Sequence, residues 1–194
     1  FKLAEIPIAL DGIAFYTHPD INLAGLSLDQ VQAIFMGKID NWQAVGGPNS
    51  NILPISLEPK LTSTSQALFE GIKGADLSPR TAIVRDYTTA IRKVETTPGA
   101  IAYASASLIA GQKGMHVLGL AKPNSDQYVK VLTEQNQVNK AAFKDGTYPF
   151  TRRLFVIIRQ DGTLDEQAGK AYANLLLSNE GQQIIEKSGF VPIR

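Results

Sequence analysis

The sequence predicts an α/β fold. Three observations carry that expectation: short apolar runs of strand type alternate with segments of helical periodicity, those segments open on repeated capping signals, and Gly/Pro/Asn clusters separate them. Taken in order, IPIAL and then Ile13 to Tyr16 read as strand, with Asp11-Gly12 interrupting them as a bulge or a crossing. After a loop at His18 to Gly25, Ser27 caps a helix with Gln30 at N3, and Val31, Ile34 and Phe35 form its inner face up to Gly37. Trp42 anchors the irregular KIDNWQAVGGPNSN, and ILPISL is a short strand.

The stretch Glu58 to Gly74, EPKLTSTSQALFEGIKG, is the one around which a site is expected. Thr62, Ser63, Thr64 and Ser65 are consecutive hydroxyl residues ahead of a helix, with Ser63 as N-cap, Gln66 at N3 and Leu68, Phe69 and Ile72 on one face. Helix-start N–H groups lack intrahelical partners and carry the positive end of the dipole, so hydroxyls there, with Lys60 upstream, form a ready anion site. An ordinary N-cap would need Ser63 alone and would leave the other hydroxyls in water.

TAIV is the next strand, and Asp86 with Thr89 at N3 caps a helix patterned by Ala90, Ile91 and Val94. AIAYA is a strand of small residues against which something packs closely. GLAKP and YVKVL suggest short strands, and a brief helix falls near Asn139 to Phe143. LFVII, entered through Pro149 and Arg152-Arg153, reads as a continuously buried strand. Thr163 and Glu166 form another capping box, opening a helix whose Ala168, Ala171, Tyr172, Leu175 and Leu176 share a face. Ser178 to Gly181 bends or restarts it, Gly189 closes GQQIIEKSG, and FVPI is a terminal strand.

With 194 residues, 44% of them hydrophobic, the chain can bury a core as one large domain or two small lobes. Nineteen basic and 18 acidic residues leave a net charge of +1, which argues against a nucleic-acid footprint. Cysteine is absent, so disulfides, thiolate chemistry and Cys-ligated metals are excluded. No apolar run approaches the ~20 residues of a membrane helix. FKLAEIPIALDG lacks the apolar stretch and cleavage site of a signal peptide, and a start on Phe1 reads as a processed protein or a piece of a longer one.

His18 and His116 have no partners at metal-ligand spacing, and no Gly-x-Ser-x-Gly, Walker or Gly-x-Gly-x-x-Gly pattern follows a strand. Asp11, Asp40 and Asp86 lack a visible partner for acid–base work and read as caps or turn residues. No catalytic role, cofactor or metal is expected. Arg85, beside Asp86 before a helix, and the Arg152-Arg153 pair are the guanidinium candidates for an anion, or simply partners of nearby carboxylates.

Read together, DGIAFYTHP, LSLDQVQAIFMGKIDNWQAVGG, the hydroxyl stretch ahead of ALFEGI, TPGAIAYAS, YPFTRRLFVII and LLLSNEGQQIIEKSGFVPI resemble, in order, the substrate-binding protein of ABC phosphate importers. That family is a type II periplasmic binding protein. The resemblance implies one complete lobe at about 12–147, with 1–11 and 148–194 supplying the crossing strands and the C-terminal part of the other lobe. It also implies an extracytoplasmic, non-catalytic protein that binds a small oxyanion, phosphate or a relative, and passes it to an ABC permease. The implied ligand-binding residues are Lys60, Thr62, Ser63, Thr64 and Ser65, with Asp11 and Arg85.

Two departures bear on this. Where the family has Gly-Ser-Gly-Thr, this chain has Thr62 to Ser65, and Pro59 stands where the family has an arginine. Lys60 replaces that fork only as a point charge. Most of the family's first lobe also precedes the segment matching Phe1 to Tyr16, so the surface around IPIAL and LFVII is expected to favour a homodimer or strand exchange. The alternative reading is a ligand-free sensor or protein-interaction module of a larger polypeptide.

Overall fold

The computed structural model describes residues 2–58, 63–70 and 76–194, with Ser63 described by its backbone alone. In chain order the elements begin with β1 (Lys2–Thr17), β2 (Gly25–Ser27), α1 (Leu28–Phe35), β3 (Leu53–Leu57), α2 (Ser63–Leu68), β4 (Ala82–Val84), α3 (Tyr87–Thr96), β5 (Ala100–Ser105) and α4 (Ala106–Ile109). They continue with β6 (His116–Val117), β7 (Gly119–Ala121), α5 (Lys140–Lys144), β8 (Thr151–Gln160), α6 (Leu164–Leu177), α7 (Asn179–Lys187) and β9 (Val191–Pro192).

β1 organises the molecule. Its second half pairs antiparallel with β5 from Ile13↔Ser105 to Thr17↔Ile101, inside a sheet of order β4-β3-β5-β1-β6. Its first half pairs antiparallel with β8 from Lys2↔Gln160 to Gly12↔Thr151, and β9 lies against Ala9 and Leu10. β3 runs parallel to both β4 and β5, and β2 with β7 forms a separate parallel pair. Asp11-Gly12 does not break the strand, but it is the crossing that the sequence offered, where β1 passes from β8 to β5. The register shift lies between Pro7 and Ala9, where proline withholds an N–H from the ladder.

The core lies around the second half of β1. Phe15 packs against Phe35, Tyr103 and Phe150 with ring centroids 6.5, 6.0 and 5.8 Å away. α1 buries Val31, Ile34 and Phe35 as its periodicity requires, and the Ser27 N–H donates to Gln30 Oε1 at 2.9 Å. All six residues of β5 are buried. Trp42 is fully buried and its Nε1 donates to the Gly99 carbonyl at 3.0 Å. Asp86 caps α3 by accepting from the Thr89 N–H at 2.7 Å, and Asn139 caps α5 through Ala142 at 3.3 Å.

Four expectations need correction. YVKVL forms no strand: Val129 makes an isolated bridge to Leu120. LFVII lies on β8 but is not buried throughout, because Phe155 and Ile157 alternate outward while Ile158 is buried. On α6 the face Ala168, Ala171, Tyr172 and Leu175 is exposed and Ala173 is the buried residue. Thr163 also lacks the expected box: Glu166 Oε2 reaches past it to the N–H groups of Asp161 and Gly162, at 2.8 and 2.7 Å. Ser178 does restart the helix, capping α7 through the Gly181 N–H at 3.1 Å.

Candidate functional site

The polar centre of the molecule sits where β1 changes partners. Asp11 is the last β1 residue but one to pair with β8, and its cross-strand partner is Arg152. Directly opposed residues on antiparallel strands put their side chains on one face, so the backbone itself brings carboxylate and guanidinium together. Arg152 Nε and Nη2 both donate to Asp11 Oδ2 at 3.1 Å, and Asp11 Oδ1 accepts from Ser105 Oγ at 2.7 Å. Ser105 in turn shares a 2.8 Å hydrogen bond with Ser107.

Asp11 is 1% exposed and the Arg152 side chain 21%. Burial pushes the Asp11 carboxyl above its ordinary value, while the Ser105 hydroxyl and the Arg152 charge pull the other way. Gly12 permits this packing, since a Cβ there would lie 2.1 Å from the Phe143 ring. Tyr148, fully enclosed beside that ring, donates to the Ile13 carbonyl at 2.5 Å, and burial holds its phenol protonated far above the usual range.

The second part of the site is the hydroxyl stretch. Ser63 lies within α2 and not ahead of it as the N-cap that the sequence suggested. Thr62 and Lys60 lie outside the described residues, as does the Ser63 side chain. Thr64 and Ser65 do not face water: each is 1% exposed. Arg152 Nη1 donates to Thr64 Oγ1, and Thr64 lies 3.4 Å from the Tyr87 hydroxyl. Ser65 Oγ and Ser56 Oγ each share a 2.7 Å hydrogen bond with the Tyr103 hydroxyl. Gln32 Nε2 ties the Leu68 carbonyl of α2 to α1 at 3.0 Å.

Of the residues expected from sequence, Asp11, Thr64 and Ser65 thus meet in one region. Arg85 does not: its side chain is 87% exposed and pairs with Asp86 at 2.9 Å, because β4 ends at the solvent edge of the sheet. The guanidinium that reaches the hydroxyls is Arg152, which sequence reasoning noted beside Arg153 but did not place. Its only signal was an arginine at the start of a strand. Pro59 stands where a guanidinium was expected upstream, and the fold brings one across from β8 instead.

Arg152 opens onto a groove of about 990 Å³ between α1, α2 and β8, lined among others by Leu28, Gln32, Glu70, Phe150, Arg153 and Phe155. Its lining offers the Arg152 and Arg153 guanidinium groups and Thr151 to a polar, negatively charged ligand, whereas Thr64 and Ser65 are buried and not part of that lining. The histidines serve the scaffold: His116 Nε2 lies 2.6 Å from the Leu23 carbonyl, and His18 Nδ1 accepts from the Asp20 N–H at 3.2 Å.

With this geometry in view, a family model described as a PBP superfamily domain matches residues 1–180. The phosphate-binding protein PstS of Borreliella burgdorferi is 23% identical over 98% of this chain and 66% of its own length. PstS of Pseudomonas aeruginosa is 26% identical over 100% of this chain and 61% of its own. The chain therefore spans slightly less than two thirds of these relatives. Among solved structures, a Clostridium perfringens protein with bound phosphate superposes with a TM-score of 0.79 at 25% identity, covering 99% of this chain and 72% of that one. An ABC-type phosphate transport receptor from Vibrio cholerae gives 0.75 at 22% identity, with 97% and 72% coverage.

Proposed function

This chain belongs to the PBP superfamily, and on that premise we propose that it is a non-catalytic, extracytoplasmic solute-binding domain for a small oxyanion of the phosphate type. The observation that carries the reading is the contact of Arg152 with Thr64: a guanidinium held by Asp11 reaches a buried hydroxyl of the Thr62–Ser65 stretch and faces an open groove. Charge-assisted donors of this kind are the strong recognition elements for planar or tetrahedral oxyanions. Support comes also from the relatives named phosphate-binding protein and from the similar structure solved with phosphate.

The proposed ligand set is Arg152 with Thr64 and Ser65, joined by Lys60, Thr62 and Ser63; Asp11 acts by holding Arg152. Delivery would be to an ABC permease. Residues 12–147 form one lobe in this reading, and 1–11 with 148–194 contribute to a second. Calorimetric titration of the purified domain with phosphate, sulfate and small organic anions tests it: heat of binding that disappears in Arg152→Ala is expected, and no heat with any of them overturns it.

A second reading, a binding-protein-like interaction module or homodimer, is favoured by the exposed Tyr172 and Leu175 face of α6. A concentration-independent monomer in sedimentation equilibrium would remove the homodimer.

A further inference from the structure

We propose that the protein carries a second binding site, for a short peptide in extended conformation, in the cleft between β6 and the segment 130–134. The cleft has a volume of about 460 Å³, within the range of small-ligand sites, and neither Arg152 nor the hydroxyl stretch lines it. The site therefore stands independently of the oxyanion reading.

Two open backbone edges form its walls. β6 is the last strand of its sheet, next to β1. Val117 lies opposite Tyr16, and the adjacent hydrogen bond runs from the Leu118 N–H to the Phe15 carbonyl at 2.9 Å. Hydrogen-bonded and non-hydrogen-bonded pairs alternate along an antiparallel ladder, so Val117 turns its own N–H and C=O away from β1. The opposite wall follows the same rule. Leu132 bridges Val138, and the flanking bonds run from the Thr133 N–H to the Gln137 carbonyl at 2.7 Å and from the Asn139 N–H to the Val131 carbonyl at 2.9 Å. Leu132 thus turns its N–H and C=O away from Val138. Val117 and Leu132 both line the cleft, and among the described residues no backbone hydrogen bond engages these four groups.

The two walls meet where the Leu120 and Val129 backbones exchange hydrogen bonds at 3.0 and 2.9 Å. Beyond that bridge they splay, and the cleft lies where a ladder between them would have continued. Part-buried backbone donors and acceptors need partners. Water serves such groups singly, and a carboxylate or an amine alone offers only acceptors or only donors. Another main chain offers both to each wall, which is how an extended peptide adds to an open strand edge.

Side chains narrow the ligand further. Leu118, Val131 and Leu132 are buried and give the cleft an apolar floor, suited to small apolar side chains. Lys130 and Glu134 stand toward opposite ends of the 130–134 wall with opposite charges, matching the carboxylate and the ammonium of a peptide with free ends.

The test is a titration of the isotope-labelled protein with zwitterionic tri-L-alanine, followed by NMR. The Val117 and Leu132 amide signals are expected to shift together and to saturate. An analogue N-methylated at its central residue has lost a main-chain donor and should bind at least about fivefold more weakly. Lys130→Ala and Glu134→Ala, both at exposed positions, should each weaken trialanine by at least about threefold, and capping both ends of the peptide should weaken it for the unaltered protein by at least as much. The absence of a saturable shift at either amide overturns the proposal, and so does an N-methylated analogue that binds as tightly as its parent. Equal affinity for capped and free trialanine overturns the pairing of free ends with Lys130 and Glu134, and with it the short peptide as ligand.

Discussion

Asp11 and Arg152 occupy paired positions on two long strands, and that register decides how each behaves when altered. Truncating Arg152 to alanine leaves a buried carboxylate facing only Ser105. The uncompensated charge is expected to cost about 3 kcal/mol in urea unfolding. Asp11→Ala with Arg152→Ala is expected to recover much of that loss, so the double-mutant cycle should show coupling; simple additivity would mean that the pair does not interact as drawn.

The pH dependence has a definite sign. Burial raises the Asp11 carboxyl above its ordinary 3.8, so the folded state holds this proton more tightly than the unfolded one. Its contribution is complete below 3.8 and declines as pH rises from 3.8 through the folded value. Stability measured across that window should slope downward more in the unaltered protein than in Asp11→Asn.

Among the elements, α6 is the one whose local chemistry and environment diverge. Its start is secured by Glu166, which accepts from two backbone N–H groups and from Lys170 and is held at about 2 by these contacts, Lys170 first. A lowered carboxyl pKa stabilises the fold above the ordinary 4.5 and loses that contribution as pH falls toward 2. Glu166→Gln should therefore lower thermal stability at neutral pH and flatten the acid limb of thermal unfolding between those values, so that the two proteins converge toward pH 2.

Further along the helix, Leu164, Tyr172 and Leu175 are 79%, 56% and 61% exposed. Leu175→Glu is expected to alter stability by less than about 0.5 kcal/mol, as for other exposed positions. Ala173→Asp, at a fully buried site on the same helix, should destabilise by several times more, on the order of 2–3 kcal/mol. Equal losses at the two positions, read from thermal unfolding, would show that the apolar stripe is covered.

For the whole molecule, the half built on β5 and the second half of β1 holds the continuous core, while the half built on β8, α6 and α7 presents Leu3, Phe155, Ile157, Tyr172, Leu175 and Ile184 to solvent. Apolar surface on this scale is characteristic of an interaction site. The protein is expected to self-associate reversibly as its concentration rises in analytical ultracentrifugation, and Phe155→Lys with Leu175→Glu should weaken that association. Association unchanged by the double variant would place the contact elsewhere.

Much of the local structure was readable before any coordinates, because caps, turns and periodicity act within a few residues. Ser27 with Gln30, Asp86 with Thr89, and Trp42 as a loop anchor are of this kind. The hydroxyl stretch was also recognisable in the sequence as the place to look.

What the chain by itself determined, then, was the alternation of strands and helices, the faces of α1 and α3 that seek a core, and a polar stretch set at a helix start. Only the tertiary structure decided that Asp11 would meet Arg152 across 141 residues of sequence, that Arg85 would remain in solvent, and that the apolar face of α6 would have nothing over it among the described residues. The physical reason is that a helical repeat specifies which side chains share a face but not what lies against it. Strand register, set by the ladder as a whole, chooses the partner of each charge.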